Sequence, residues 1–170
     1  MQRLTIGMLA LLLAGGAWAQ SLADIERAEA AVITTWEQTP LSFRRAIFVT
    51  EASGYGVYKE RANAQFKPAE PLLVYSEPVG YAWKENGDGT FSFGFDVDLL
   101  LKTSTGEIVG GQENFQHLVM TSKARNREFM LTLTLTLTGA PAGDYVVEYR
   151  TRDAFGAKSG MISLPFSIVE

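Results

Sequence analysis

A mainly β fold is predicted, an antiparallel β-sandwich of about seven strands preceded by one amphipathic helix. Three features predict it. Phe91 to Leu101 alternates strongly, with Phe91, Phe93, Phe95, Val97, Leu99 and Leu101 facing inward and Ser92, Gly94, Asp96 and Asp98 facing out until Leu100 breaks the pattern. That is the period of a strand with one buried face. Leu131 to Thr138 repeats Leu-Thr four times with the same period. Lys84 to Thr90 then contains Asn-Gly and Asp-Gly pairs, whose tolerance of positive φ suits tight hairpins.

Residues 1–19 read as a secretory signal peptide. Arg3 precedes an apolar run from Leu4 to Leu13, and Ala17-Trp18-Ala19 places small residues at a cleavage site. The run is too short to cross roughly 30 Å of hydrocarbon, and no stop-transfer pattern follows. Processing after Ala19 leaves no transmembrane span. The chain has no cysteine, so an exported product has no disulfide and depends on its core for stability. Such usage suits a bacterial periplasm or secreted space.

Residues 20–40 are predicted to form the helix. Leu22, Ile25, Ala28, Val32, Ile33 and Trp36 recur at three- and four-residue steps, Ser21 is the candidate N-cap with Asp24 three residues on, and Thr39-Pro40 ends the segment. The apolar face has two readings, packing on its own domain or insertion into a groove of another protein.

Residues 41–170 are predicted to form the β domain. Ser42 to Val49 is the first strand, Pro71 to Trp83 a long second one, and Thr90 to Lys102 the third. Pro78 cannot donate to a ladder, so a bulge, an edge position or a break is expected there. Later strands at Glu128 to Leu137, Asp144 to Arg152 and Ser159 to Ile168 are separated by short links and carry the rows Leu131, Leu133, Leu135, Leu137; Tyr145, Val147, Tyr149; and Ile162, Leu164, Phe166, Ile168. With the leucines inward, Thr132, Thr134, Thr136 and Thr138 are the wet side of a strand. Because this octet is a pairing hazard on an open edge, it is placed in the sheet interior, flanked on both sides.

The stretch GDYVVEYRTRDAFGAKSGMISLPFSIVE, within Ala140 to Glu170, resembles the closing strands of immunoglobulin-like and fibronectin-III-like modules of bacterial exported proteins. The resemblance implies an immunoglobulin-like sandwich, with Tyr145 at a tyrosine corner and Phe166-Ser167-Ile168 in the last core strand. AQFKPAEPLLVYSE is similar to the crossing between the first two strands of such modules. Both cysteines of antibody-type domains are missing, so the resemblance is to the broad family, which brings no catalytic residues.

Composition narrows the chemistry. A net charge of -4 with no long basic run excludes the footprint that phosphate neutralisation needs, so nucleic acid is not an expected partner. His117 is the sole histidine and no nucleophile elbow accompanies it. One histidine without cysteine cannot assemble the usual zinc sites. Glu85, Asn86 and Asp88 offer oxygens for calcium but lack the ligand ladder of an EF-hand loop. Asp96 and Asp98 share a face about 7 Å apart, which reads as a solubilising pair. Gly54-Tyr55-Gly56 is a loop, not a nucleotide fingerprint. No metal, cofactor or catalytic residue is expected.

Aromatic residues supply the candidate binding surface. Tyr55, Tyr58, Tyr81 and Trp83 are not all demanded by the inward rows, and exposed rings stack on sugars or anchor protein partners. The expected role is an exported, non-enzymatic interaction module of the bacterial envelope, binding a protein or envelope component through a sheet surface or the N-terminal helix. The alternatives are a carbohydrate or small-ligand module using those rings, and an enzyme with an unrecognised site. The oligomeric state stays open.

Overall fold

The computed structural model describes residues 21–170; the segment read as a signal peptide lies outside the described residues. Helix α1 (Leu22–Gln38) leads into ten strands: β1 (Ser42–Gly54), β2 (Val57–Glu60), β3 (Gln65–Phe66), β4 (Leu72–Val79), β5 (Lys84–Glu85), β6 (Phe91–Thr103), β7 (Ile108–Ser122), β8 (Leu131–Leu135), β9 (Gly143–Asp153) and β10 (Ser159–Ile168). The expected count of about seven is exceeded by the short β2, β3 and β5 and by β7. Among the described residues no helix is long and apolar enough to cross a membrane.

The strands form two sheets. One has the order β2-β1-β4-β8; the other runs β3-β10-β9-β6-β5, with β7 paired to β6. Pairing is antiparallel except between β3 and β10, where Gln65 and Phe66 run parallel to Ser167 and Ile168. Phe48, Val74 and Leu133 of the first sheet join Phe93, Phe95, Val97, Val147, Tyr149 and Phe166 of the second in one apolar cluster. The alternation of Phe91–Thr103 shows in burial from Phe95 onward, whereas Ser92 and Gly94, expected on the outward side, are also buried because Asn86 and Thr121 cover Ser92 and the β7 backbone lies against Gly94. The odd-numbered apolar residues from Phe93 to Leu101 are buried.

Two local features follow from backbone chemistry. β4 continues through Pro78, which pairs with Phe43 of β1, and ends at Val79. β8 flanks β4 only as far as Ser76, so the proline lies where no second neighbour asks for an N–H. At the start of β9 the Tyr145 hydroxyl donates to the Pro141 carbonyl at 2.9 Å, pinning the turn before the strand.

The leucine-threonine octet corrects its expected position. Among the described residues β8 pairs only with β4, so it is an edge strand rather than an interior one. Leu131, Leu133 and Leu135 are buried and Thr134 is exposed, as the period demands. The pairing hazard is limited by length, because regular structure stops at Leu135 and five residues offer little template.

One core position is over-supplied with polarity. The Tyr149 hydroxyl is buried without a hydrogen-bond partner among the described residues, as is the Thr151 hydroxyl two residues on. Replacing Tyr149 by phenylalanine removes an unpaired oxygen and keeps the ring. The variant is expected to gain about 1–2 kcal/mol in urea unfolding; a loss of that size would show that the hydroxyl has a partner.

Candidate functional site

Helix α1 begins with the capping residues expected of it. The Asp24 carboxylate accepts the Ser21 backbone N–H and the Ser21 hydroxyl, both at 3.0 Å, and Arg27 lies 2.7 Å away. The Ser21 N–H, then the Arg27 guanidinium, holds the Asp24 carboxyl below the usual carboxylate range. The apolar face does not behave as a helix docked along its length. Leu22, Ile25 and Val32 are 70%, 54% and 43% exposed, and Trp36 is the helix's buried residue. The helix stands off the β domain and is held at its C-terminal end.

That end is built from distant parts of the chain. Trp36 donates its ring N–H to the Tyr81 carbonyl at 2.8 Å, stacks on Trp83 with centroids 5.2 Å apart and meets Tyr81 edge-on at 5.0 Å. Tyr81 in turn stacks on Phe93 of the core at 5.1 Å. The Lys158 ammonium donates to the Glu37, Thr39 and Gly80 carbonyls at 2.7, 2.8 and 2.8 Å. A cation there satisfies helix-end carbonyls and complements the helix dipole. Gly80 has φ +80°, and a Cβ on it would lie 2.5 Å from the Pro40 carbonyl oxygen, so only glycine lets the two segments touch.

Two grooves flank this root. One, of about 550 Å³, is mostly apolar and is lined by Ala31, Val32, Phe43 and Val79. The other, of about 480 Å³, sets Val32 and Trp36 beside Arg44, Arg125 and Arg127. Arg125 and Arg127 face Glu37 and Glu29 of the helix at 3.8 and 3.7 Å, long separations between groups that are partly solvated. The loop carrying these arginines is tied down because the Tyr81 hydroxyl and the Trp83 N–H both donate to the Asn126 carbonyl, at 2.8 and 2.9 Å.

The four aromatic candidates fall into two groups. Tyr81 is fully buried, and Trp83 is part of the same knot around Trp36, so these rings anchor the helix. Tyr55 and Tyr58 lie in the β1–β2 hairpin, which folds over the outer face of its own sheet. Tyr55 accepts a hydrogen bond from Arg44, and Tyr58 packs on Tyr75 at 4.4 Å with Arg45 above it. Tyr75 is covered completely; its hydroxyl donates to the buried Glu77 carboxylate at 2.8 Å and accepts the Gly56 N–H at 2.7 Å. Burial first, then Glu77, pushes the Tyr75 hydroxyl up to about 12.

The remaining polar candidates are engaged with one another. His117 Nδ1 lies 2.6 Å from Asp96 Oδ1, Asp98 pairs with Arg152 and accepts the Asn114 N–H, and Lys102 meets Glu148 at 2.7 Å. Asp96 and Asp98 are therefore members of a cross-strand charge ladder rather than a lone acidic pair. In the Lys84–Thr90 turn the Asn86 amide donates to Thr90 and Ser92, while Asp88 accepts the Thr90 hydroxyl and N–H. Those two bonds hold the Asp88 carboxyl below its ordinary range. Among the described residues no group of three or more histidine or carboxylate side chains converges to hold a metal. Lys158, Asn126, Arg125 and Arg127 were not legible as site residues, since nothing local in the sequence announces contacts across such separations.

No family model matches the chain, and no curated protein matches it. Among solved structures it is similar to a superoxide reductase (neelaredoxin) from Ignicoccus hospitalis, at 14% identity over 88% of this chain and 99% of that one, with a TM-score of 0.36.

Proposed function

We propose that the chain is a non-enzymatic interaction module of the bacterial envelope, an immunoglobulin-like sandwich that docks a protein partner through α1. The observation that carries the reading is the combination of an exposed apolar stripe with a fixed root: Leu22, Ile25 and Val32 face solvent while Trp36 and Lys158 lock the helix end. A helix presented in this way loses little freedom when its stripe enters a groove. Asp24, Glu26, Glu29 and Glu37 outnumber Arg27 on the same helix, so the groove that fits it is apolar with a basic rim. Export to the envelope is supported by the N-terminal sequence, and the bond from Tyr145 to Pro141 supports the immunoglobulin-like reading, being the hydrogen bond of a tyrosine corner.

The test places a photo-crosslinking residue at position 25 in the native envelope and follows with binding of the purified pair. One partner should crosslink at equal stoichiometry. Ile25→Glu should weaken the purified complex at least ~10-fold with helical content unchanged, and Arg27→Ala should not. Binding indifferent to Ile25→Glu would remove the helix from the reading.

A further inference from the structure

We propose that the chain also self-associates, two copies pairing antiparallel through β7 across a two-fold axis at Leu118. This surface is separate from α1 and does not depend on the partner proposed for it. β7 is 15 residues long and, among the described residues, has a strand neighbour on one side only, β6. Val119 lies opposite Gly94, whose carbonyl accepts the Ala154 N–H at 3.0 Å on the far side of β6. In an antiparallel ladder opposite residues turn their polar groups toward each other or both away. The N–H and C=O of Val119, and by alternation those of His117 and Thr121, therefore point out of the sheet edge.

The side chains along this edge do nothing to prevent pairing. From Phe115 to Ser122 there is no Lys, Arg, Asp, Glu or Pro, and Val119 and Met120 are 44% and 42% exposed. Natural edges are usually blunted by such charges or prolines, or by being short, as β8 is. The neutral stretch is bracketed by opposite charges, Glu113 before it and Lys123 after it, both exposed. Those charges choose the occupant. With Leu118 on the axis, His117 of one copy pairs with Val119 of the other and Gln116 lies opposite Met120; past the ends of that ladder the Glu113 end of one copy meets the Lys123 end of the other, twice by symmetry. A parallel arrangement would set like charges side by side. The bulge around Asn114, with φ 51° and its N–H given to Asp98, marks where the pairing stretch ends.

Sedimentation of the purified full-length chain at low salt tests the proposal. The wild type should dimerise. Val119→Pro removes an outward N–H that β6 does not use, so it should keep the circular dichroism spectrum and weaken the dimer at least ~10-fold. Lys123→Glu alone should weaken it at least ~10-fold through like-charge contact, and adding Glu113→Lys should bring the affinity back to within ~3-fold of wild type. The charge exchange decides the matter if the proline variant fails to fold. A monomeric wild type, a dimer indifferent to both single variants, or an exchange that fails to rescue would each overturn the proposal.

Discussion

Replacement of Trp36 by alanine is expected to lower the unfolding free energy by about 3–5 kcal/mol, the usual range for emptying a buried aromatic site. The ring is 7% exposed, and its removal undoes contacts with Tyr81 and Trp83. It also leaves the Tyr81 carbonyl without the donor it has at 2.8 Å. Because Trp36 is the helix's buried residue, α1 should fray at the same time, and helical circular dichroism should fall well below the urea midpoint of the sheets. Trp36→Phe keeps most of the ring and loses only the N–H, so its cost should be nearer ~1–2 kcal/mol. An alanine variant that unfolds within ~1 kcal/mol of wild type would show that the helix root lies outside the cooperative unit.

Alkali is the second large lever. Tyr75, Tyr81 and Tyr149 are all fully buried, and burial raises each hydroxyl above the ordinary 10.0, Tyr75 to about 12 and the other two further. Above pH 10 an unfolded chain gives up these protons and the folded chain keeps them, so the folded state binds more protons and stability falls as pH rises. Each tyrosine contributes about 1.4 kcal/mol per pH unit, and three give about 4 kcal/mol per pH unit between roughly pH 10 and 12. Against a total of roughly 5–15 kcal/mol, that slope unfolds the protein within a few pH units. Below pH 10 the three groups contribute no slope. Urea titrations at stepped pH measure it, and Tyr75→Phe should reduce it by about a third. Phenolate absorbance from all three tyrosines that develops while the sheets remain folded would contradict the assignment.

Much of the architecture was legible because burial in a two-faced strand writes itself into every second residue. The rows of β6, β9 and β10 were readable for that reason, as was the capping pair Ser21 and Asp24, whose partners lie three residues apart. β7 escaped because its alternation is broken: Gly110, Gly111, Gln112, Glu113 and Asn114 carry no apolar period, and the bulge at Asn114 shifts the register between Gln112 and Gln116. An edge strand with little to bury leaves a faint pattern. The leucine-threonine octet misled in the opposite direction, since a perfect period fixes which face is wet and says nothing about how many neighbours a strand has.

The site was less readable than the fold. The sequence sets Tyr81 and Trp83 apart from the inward rows as binding rings, but Tyr81 is a fully buried core residue and both pack on Trp36, about 45 residues away in the chain, while the clamp on the same helix end comes from Lys158. Amphipathicity identified the stripe of α1; whether a stripe meets its own domain depends on where the helix axis points, which Pro40, Leu41 and the Gly80 contact decide. Tyr75 and Glu77 were hidden for a related reason, because the β1–β2 hairpin covers a face that a two-layer reading leaves to solvent.

The parallel pairing of β3 with β10 also bears on the order in which the molecule is made. Phe66 is buried beside a strand that ends at Ile168, so β3 waits for β10, far along the chain, before it has a neighbour. Until β10 has been made that sheet edge cannot close, and pairing over such a separation is slow to form. Closing this sheet edge is therefore a late event in folding, and Phe66 stays uncovered until β10 arrives.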